Sequence, residues 1–335
     1  MGDRQGPVTL SVVIPILNAE RHLARCLQSL QAQISDVGPC EILVVDGGSS
    51  DGSLAVSEEE GGRILKNPDG DAQIGKAIGL REARGTYVMF LDADNELVGP
   101  GWLSKVIGAL EGSSSIMGAD APHLPRDGEP FANRYCTLID LEDPIARRIS
   151  RLRRATRRRR LGGIDVLYVP PGRFPIFGAN GFIWRKSVLD EVIGQSPSYD
   201  EADVSQLVTE AGHRLIADIP GGGIHHHHID TLRAFIQKRK RNGREYFTRR
   251  QRVGRTWFDS VARTERWSAL LYCASVVGPL GEGVWNWIRT GERAWLIHPV
   301  MTIATVLAYA QAYLAYTWGT DASFSASCHS QALHA

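Results

Sequence analysis

Two apolar runs that each end on an aspartate constrain the fold of this chain more than any other feature. The runs are ILVVD, ending at Asp46, and YVMFLD, ending at Asp92. A stretch before the first run has leucines at helical spacing, at Leu23, Leu27 and Leu30. Nearly continuous Val, Ile and Leu runs that alternate with helices are typical of a parallel sheet covered on both faces. The sequence therefore predicts a doubly wound, mostly parallel α/β fold with helices on both faces of the sheet.

In such sheets ligands bind beyond the carboxyl ends of the strands, where both aspartates stand. A carboxylate at Asp46 can accept the imide or amide hydrogen of a base, while Gly47 and the next glycine let the backbone approach a ligand closely. The alternative at this position is a plain Asp-Gly turn.

The pair Asp92 and Asp94 is more specific. Two carboxylates one residue apart at a strand end repel each other unless a cation or hydrogen-bond donors lie between them. Oxygen ligands of this kind favour Mg²⁺ or Mn²⁺, usually shared with a substrate diphosphate. The alternative is an exposed acidic turn.

Three ordered segments together resemble the family 2 glycosyltransferases, which have the GT-A fold. SVVIPILNAE resembles the family's first strand, EILVVDGGSSDGS its second strand and nucleotide loop, and GKAIGLREARGTYVMFLDADNEL the helix that leads into its Asp-x-Asp strand. The resemblance covers about residues 9 to 247. It departs from the family at Gly47 and Ala77, where many relatives carry an acid and an asparagine. The first departure concerns how the base is held, and not the fold.

The resemblance implies a nucleotide-sugar donor and the residues that bind it. Asp46 would hold the uracil or guanine of the donor. Pro15, Asn18 and Glu20 would line the same pocket, and Lys76 would approach the diphosphate.

The resemblance also implies a divalent metal, Mg²⁺ or Mn²⁺. Asp92 would face the ribose and the metal, and Asp94 would ligate the metal, which then neutralises the departing nucleoside diphosphate. The family places a metal-binding histidine after the acceptor helix, where this chain has IHHHHID. Neutral imidazole suits Mn²⁺, and His226 is the predicted ligand, with His225 and His227 as alternatives. Without a metal, the run is a polar loop whose histidines cap the next helix.

The segment SYDEAD occupies the place of the family's Glu-Asp pair ahead of the acceptor helix. Asp200 and Glu201 correspond to that pair in swapped order, and Asp203 falls on the same helix start. A carboxylate there can take the proton from an acceptor hydroxyl, which makes these three residues the catalytic candidates. The alternative is the general preference of helix N-termini for acids, which involves no chemistry. The acceptor-facing loop would be FGANGF, with Gly178, Asn180 and Gly181.

Basic residues are concentrated in two segments, although the net charge of +1 implies no general affinity for polyanions. Residues 147–160 hold nine arginines and no acid. Such a block can bind nucleic acid or anionic lipid, or be disordered. It has no interleaved aromatic residues, which nucleic-acid binding usually brings, so we predict membrane lipids and no nucleic acid as partners. Eleven Lys or Arg residues from Lys238 to Arg266 precede the apolar run WSALLYCASVVGPL, which is the positive-inside pattern.

The segment 295–318 has no charged residue over 24 positions and a tryptophan at each end. At 1.5 Å per residue its helix would be about 36 Å long, enough to cross a bilayer core of about 30 Å. The alternative is a buried core helix. The shorter run 267–280 would be interfacial, re-entrant or half of a helical hairpin closed by RTGER.

These features predict two domains and a cellular location. A GT-A domain over 1–255 would have a nucleotide-sugar half, 9–120, and an acceptor half, 121–255; a helical, apolar, membrane-associated appendage would cover 256–335. The five cysteines are odd in number and lack CxxC spacing, which indicates reduced thiols in the cytosol. No signal peptide is evident before the first strand. We therefore expect the catalytic domain on the cytosolic face of the inner or plasma membrane.

Together the sequence predicts a metal-dependent glycosyltransferase that moves a sugar from a nucleotide sugar to a lipid-linked or polysaccharide acceptor, with inversion as the family implies. One alternative is a polyprenyl-phosphate glycosyltransferase, whose anionic acceptor needs no catalytic base. A rival from another class is a non-catalytic protein that binds nucleotides or polyanions.

Overall fold

The structure of the protein is a computed structural model. The residues that it describes form two compact units. The first unit comprises residues up to Arg126 and those of 150–227, and the second comprises 127–149 and the chain from Ile229 onward. The middle of the arginine run, 151–155, lies outside the described residues, as does Cys328. The four cysteines that are described are all free. The described residues are 7–140, 143–150, 156–227, 229–253 and 257–318.

Strands make up one part of the chain's regular structure. In chain order they are β1 (Leu10–Ile16), β2 (Cys40–Asp46), β3 (Arg63–Lys66), β4 (Tyr87–Phe90), β5 (Asn95–Val98), β6 (Gly118–Asp120), β7 (Arg157–Leu161), β8 (Ile164–Tyr168), β9 (Ile183–Arg185), β10 (Leu215–Asp218) and β11 (Gly223–His226).

Helices make up the other part. They are α1 (Glu20–Ile34), α2 (Ser53–Glu59), α3 (Ala72–Glu82), α4 (Trp102–Glu111), α5 (Phe131–Leu138), α6 (Pro144–Ser150), α7 (Lys186–Val192), α8 (Glu201–Glu210), α9 (Leu232–Val253), α10 (Trp257–Ser260), α11 (Arg263–Ala274), α12 (Val277–Thr290), the 3₁₀ turn η1 (Arg293–Ile297) and α13 (His298–Thr317).

The first unit is built on a sheet that has nine strands among the described residues, in the order β3-β2-β1-β4-β9-β6-β10-β8-β7. Strand β9 is antiparallel to both of its neighbours, and so is β8. The remaining seven strands therefore point the same way. The register pairs Ile16 with Asp46, so β1 and β2 end together at the same edge of the sheet. The predicted doubly wound, mostly parallel α/β fold is confirmed.

Alternating side chains of β1 enter two separate cores, one on each face of the sheet. Val12 and Ile14 pack in a cluster with Leu23 and Leu27 of α1 and with residues of α4. Val13 packs in a second cluster with residues of α3, α7 and α8. All of these side chains are buried. The nearly unbroken apolar character of β1 follows from this position, since a central parallel strand must be apolar on both faces.

Part of the arginine run forms a strand, which the sequence did not predict. Residues Arg157–Leu161 are β7, at the edge of the sheet, antiparallel to β8. The Arg159 guanidinium lies 3.7 Å from the ring centroid of Tyr168, and Arg158 forms an ion pair with Asp218. Exposed arginines on an edge strand also oppose pairing with another sheet edge. The strand forms because β8 supplies its hydrogen-bond partners, which the local composition does not reveal.

The second unit is helical, and α9 is part of it. Near Gly243 of α9 the helix approaches α13 so closely that a Cβ there would lie 2.8 Å from Ala312 Cβ. On the same side, Arg239 contacts Asp143 at 3.3 Å, and Tyr309 donates a hydrogen bond to that carboxylate at 2.5 Å. The two units thus divide the chain differently from the predicted domains 1–255 and 256–335, and α9 packs against α13 at Gly243.

The apolar C-terminal region contains several helices rather than one short run and one span. The predicted run 267–280 is divided at Ser275 and Val276, where Val276 has φ 59°. Among the described residues, one segment, Arg293–Thr317, is long and apolar enough to cross a membrane, and 44% of its most apolar window is buried inside the protein. Core helices of soluble proteins pass the same test, so this segment is weak evidence for a membrane span.

Candidate active site

The acid pair lies where β4 ends, and a two-stranded sheet brings a histidine to it. Strand β11 runs antiparallel to β5 and pairs His226 with Asn95, the residue after Asp94. His226 Nε2 consequently lies 3.0 Å from Asp94 Oδ1. One ligand atom from each of Asp92, Asp94 and His226 lies within 4.8 Å of the others. The three predicted metal ligands are therefore close together.

This donor set fits a divalent cation. Two carboxylates and one imidazole are the ligands that Mn²⁺ accepts readily, and the carboxylates also suit Mg²⁺. His226 is buried, and its ring lies 6.2 Å from that of the half-buried His123. Burial, with His226 as a second cause, lowers the pKa of His123 to about 3, so His123 carries no charge that would repel a cation.

The neighbouring histidines are directed elsewhere. His225 Nδ1 lies 2.9 Å from the carbonyl oxygen of Leu124, since successive strand residues face opposite sides. His227 Nε2 lies 3.1 Å from Glu96 Oε2. Of the three histidines that the sequence left open as ligands, only His226 belongs to the cluster with the two aspartates.

Lys76 lies inside the site, between the metal candidates and the catalytic candidates. Its side chain is 4% exposed, and Nζ lies 3.7 Å from Asp92 Oδ1. Burial alone would lower the pKa of Lys76, but the carboxylates of Glu201, Asp92 and Asp200 outweigh it and raise the pKa. Lys76 is therefore a buried cation held among acids.

Asp46 forms the turn that the sequence allowed as an alternative. Its carboxylate accepts hydrogen bonds from the backbone N–H groups of Gly48, at 3.1 Å, and Ser49, at 3.0 Å. Gly48 has φ +97°, a conformation that favours glycine. A Cβ at Gly47 would lie 3.1 Å from Gly70 Cα, so this glycine is needed for close backbone packing.

Asn18 and Glu20 join the loop after β1 to the loop after β2. Asn18 Oδ1 accepts a hydrogen bond from Ser50 N at 2.9 Å, and Glu20 Oε2 accepts one from Gly52 N at 3.0 Å. Both side chains thus hold the loop that follows Asp46 in place. Through these hydrogen bonds the two side chains organise one wall of the site.

Pro15 packs beneath the start of α3. Two residues near this helix start, Asp71 and Gln73, were not predicted from the sequence. A Cβ on Gly75 would lie 3.3 Å from Pro15 Cβ, so proline and helix touch. Asp71 caps the helix by accepting hydrogen bonds from the N–H groups of Gln73 and Ile74, at 2.8 and 3.0 Å. An aspartate just before a helical pattern is a recognisable cap. No local signal marks Gln73, whose partner, described next, is distant in sequence.

The acids at the start of α8 have different partners. Asp200 is the N-cap, and its Oδ1 accepts hydrogen bonds from the N–H groups of Ala202 and Asp203, both at 3.1 Å. Glu201 Oε2 instead accepts a hydrogen bond from Gln73 Nε2 at 3.0 Å. Asp203 is half-buried in the first turn. The helix-cap alternative thus describes Asp200, whereas Glu201 is turned toward α3 and Lys76.

The loop FGANGF owes its glycines to the packing of the protein itself. Gly178 has φ +90°, and a Cβ there would lie 2.4 Å from Trp184 Cζ2. Gly181 has φ +78°, and a Cβ there would lie 2.9 Å from Ala121 Cβ. Asn180 Oδ1 is buried and has no hydrogen-bond partner within the described part of the chain. Of the three predicted loop residues, Asn180 is the one with unused hydrogen-bonding capacity.

The family model of Glycosyl transferase family 2 matches residues 11–174. The matched segment, just under half of the chain, is similar to that family. The match agrees with the predicted class of enzyme, a glycosyltransferase. Glu201 and His226 lie beyond the matched segment of the family 2 domain, so their place in the site rests on the geometry above.

Known glycosyltransferases are similar to parts of this chain. Glycosyltransferase AglE of Haloferax volcanii is 23% identical over 148 residues, which is 42% of this chain and 48% of that protein. A PGL/p-HBAD biosynthesis glycosyltransferase of Mycobacterium tuberculosis is 34% identical over 117 residues, which is 32% of this chain and 45% of that protein. The matches thus span about half the length of these relatives.

A solved structure has the same fold as this chain. The mannosyltransferase PcManGT from Pyrobaculum calidifontis, in complex with GDP-Man and Mn²⁺, is 15% identical with a TM-score of 0.51. The similarity covers 92% of this chain and 90% of that chain. At this level of identity it supports the fold alone, and with the family match it confirms the predicted GT-A fold.

Proposed function

We propose that the protein is a divalent-metal-dependent glycosyltransferase that moves a sugar from a nucleoside diphosphate sugar to an acceptor hydroxyl, with inversion. The observation that carries this proposal is the cluster of Asp92, Asp94 and His226, with ligand atoms within 4.8 Å, at the carboxyl end of a central strand. Ligands of open α/β sheets bind at this edge. PcManGT, which shares the fold, was solved with GDP-Man and Mn²⁺.

The donor would lie over the loop that follows β2. Asp46 and Gly47 stand at the start of this loop, which Asn18 and Glu20 hold in place. Asp92, Asp94 and His226 would hold Mg²⁺ or Mn²⁺. When bound, the ion supplies the positive charge that the departing nucleoside diphosphate needs. Lys76 lies at 3.7 Å from Asp92 and offers a second, permanent cation on the same side.

Glu201 is the proposed general base. The acceptor oxygen would form a bond to the anomeric carbon on the face opposite to the diphosphate, while the bond from that carbon to the diphosphate oxygen breaks. The hydroxyl proton passes to the Glu201 carboxylate, whose negative charge acts on the nearby Lys76 cation. Asp200 is less suited, because its Oδ1 is used by two backbone N–H groups of the helix.

The orientation of Glu201 favours a hydroxyl acceptor over a polyprenyl phosphate. A hydroxyl is a poor nucleophile and needs a base, whereas a phosphate monoester is already anionic at neutral pH. The Gln73 hydrogen bond at 3.0 Å holds the Glu201 carboxylate in place. A fixed position of this kind is what a general base requires. We also propose that the acceptor is lipid-linked or a glycan and that transfer takes place at a cytosolic membrane face.

A panel of nucleotide sugars, each with Mn²⁺, tests the proposal by thermal shift and by release of nucleoside diphosphate. A donor that binds the native protein raises its melting temperature, and it should do so only with the metal. The same donor should be turned over by the wild type and not by Asp94→Ala. Binding of nucleotides without any turnover would instead favour the non-catalytic binding protein. Salt-sensitive DNA binding at physiological ionic strength would favour the polyanion binder.

A further inference from the structure

The outer faces of α11 and α12, in the second unit, expose large apolar side chains. Trp267 and Leu271 are four residues apart on one face of α11. On α12, Val277, Leu280 and Ile288 fall on one face at a spacing of three and eleven residues. Six large side chains, 50–77% exposed, form what we call the apolar patch: Trp267, Leu271, Val277, Leu280, Trp285 and Ile288.

The only charged residue within this stretch is turned away from the patch. From Trp267 to Ile288 the sequence has a single charge, Glu282. Its carboxylate accepts hydrogen bonds from Arg147 at 2.8 Å and from Tyr272 at 2.5 Å. Because Tyr272 precedes the turn and Glu282 follows it, this bond also holds α11 and α12 against each other. The surface of the patch is therefore free of charge although its sequence is not.

The contacts between α13 and α9 argue against α13 as a helix that spans the bilayer. Helix α9 runs beside α13, with Gly243 against Ala312 and the Phe247 ring stacked 5.2 Å from that of Tyr316. Arg241 and Arg244 of α9 are exposed in the same region. Each arginine placed at the centre of a membrane costs about 2.5–3.5 kcal/mol on insertion scales. A span through α13 would carry these charges into the hydrocarbon.

Charges border the apolar patch and identify a lipid surface as its occupant. In the flanking segments 263–266 and 289–293, the exposed charged residues are three arginines, Arg263, Arg289 and Arg293, and one acid, Glu265. Tryptophans within an apolar face and arginines at its border are typical of helices that lie in the interface of a membrane with anionic lipids.

We propose that the apolar patch inserts into one leaflet of an anionic membrane and that the protein is attached there without a spanning helix. Insertion of such faces reaches about 5–10 Å into the boundary between head groups and acyl chains. The inference deepens the proposed membrane association by naming its surface and its mode. It does not depend on the sugar donor or the acceptor.

Flotation with lipid vesicles tests the proposal on the purified full-length chain. The vesicles contain phosphatidylcholine with a quarter phosphatidylglycerol, and a second set contains phosphatidylcholine alone. The variant Val277→Asp/Trp285→Glu/Ile288→Glu places three charges on exposed positions, so its fold is expected to persist, as circular dichroism would verify. The matched control Leu207→Glu/Leu232→Glu/Phe131→Glu changes three other large apolar residues, which are 40–50% exposed.

The wild type and the control should float with anionic vesicles and be released by alkaline carbonate, while the patch variant binds at least about tenfold more weakly. Resistance of the wild type to carbonate would indicate a span and overturn the proposal. Equal flotation of the patch variant would overturn it as well. So would a wild-type dimer in light scattering that the patch variant converts to monomer without any vesicle binding. Donor hydrolysis with Mn²⁺ in detergent is measured in parallel, so loss of vesicle binding and loss of transferase activity are distinguished.

Discussion

Gln73 Nε2 donates a hydrogen bond to Glu201 Oε2 across 3.0 Å, and this bond connects two helix starts that are 128 residues apart in sequence. The same pair of segments is joined by a backbone hydrogen bond from Tyr199 N to the carbonyl oxygen of Gln73, at 2.9 Å. Helix α3 carries Lys76, on the proposed donor side of the site, and α8 carries the catalytic candidates. The relationship therefore gives the proposed base a fixed position relative to the donor side of the site.

Glu201→Gln should lower kcat by a factor of about 10²–10⁴, the usual contribution of a general base. Glutamine has the same shape and can still accept the bond from Gln73, so the loss would reflect proton transfer. Asp200→Asn is the control, because asparagine caps a helix about as well as aspartate and should leave kcat near normal. Steady-state kinetics with one donor and one acceptor measure kcat for the wild type and both variants. Near-normal turnover of Glu201→Gln would favour an acceptor that is already anionic.

His226→Ala and Asp94→Asn should each weaken binding of Mn²⁺ by at least about tenfold, because each removes one of three clustered ligands. Isothermal titration calorimetry with Mn²⁺ and a nucleoside diphosphate measures this without any need for turnover. His225→Ala is the matched control, since its ring contacts the Leu124 carbonyl instead. Full transferase activity in excess chelator would contradict the role of the metal.

Lys76→Met should strengthen Mn²⁺ binding several-fold while it lowers turnover. The substitution removes a cation 3.7 Å from Asp92 Oδ1, and a charge at that distance is worth about 1 kcal/mol or more in a partly screened site. If Lys76 also contacts the donor diphosphate, KM for the donor should rise as well. Lys105→Met, an exposed position on α4, serves as the control. An unchanged metal affinity would show that Lys76 and Asp92 are not coupled.

Gly178→Ala should destabilise the protein by about 3 kcal/mol or more, because the new Cβ would lie 2.4 Å from Trp184 Cζ2 at a positive φ. Gly172→Ala isolates the backbone effect, since Gly172 has φ +72° and no atom within 4 Å of a Cβ; it should cost about 1 kcal/mol. Urea denaturation compares the two. Equal losses would mean that the loop yields and that the glycine is not required for packing.

Glu282→Gln should destabilise the second unit by about 3 kcal/mol at neutral pH, because it leaves the Arg147 cation without its carboxylate. Burial alone would raise the pKa of Glu282, but hydrogen bonds from Tyr272 and Arg147 and the charge of Arg147 lower it to about 2. Because the pKa of Glu282 is lower in the folded than in the unfolded chain, its ionised carboxylate stabilises the fold. This stabilisation is fully present above pH about 4.5 and is lost as the pH falls toward 2.

The difference between wild type and Glu282→Gln should therefore shrink as the pH is lowered from 4.5. Thermal unfolding followed at pH 7, 5, 4 and 3 measures the difference. The control is Glu265→Gln at an exposed position, where a change of no more than about 0.5 kcal/mol is expected at every pH. A constant difference across this range would contradict the linkage.

Features that depend on neighbouring residues could be predicted from the amino-acid sequence. The unbroken apolar runs of β1, β2 and β4 indicated strands that are buried on both faces. The sequence also showed that Asp46 ends one of these runs and that Asp92 ends another. Helical spacing in α1 and the acid pair Asp92 and Asp94 were equally readable, because each depends on residues within one element.

The tertiary structure decided which residues meet, because those choices depend on pairings between distant segments. The register of β11 on β5, and not the histidine run itself, selected His226 over His225. The packing of α3 against the start of α8 separated Glu201 from Asp200, which are adjacent in sequence and equally acidic. In the sequence, Glu282 interrupts the apolar stretch of α11 and α12. In the structure its carboxylate pairs with Arg147, so the apolar patch carries no charge. A side chain's partner is set by backbone hydrogen bonds and core packing many residues away, and composition along one segment carries no record of them.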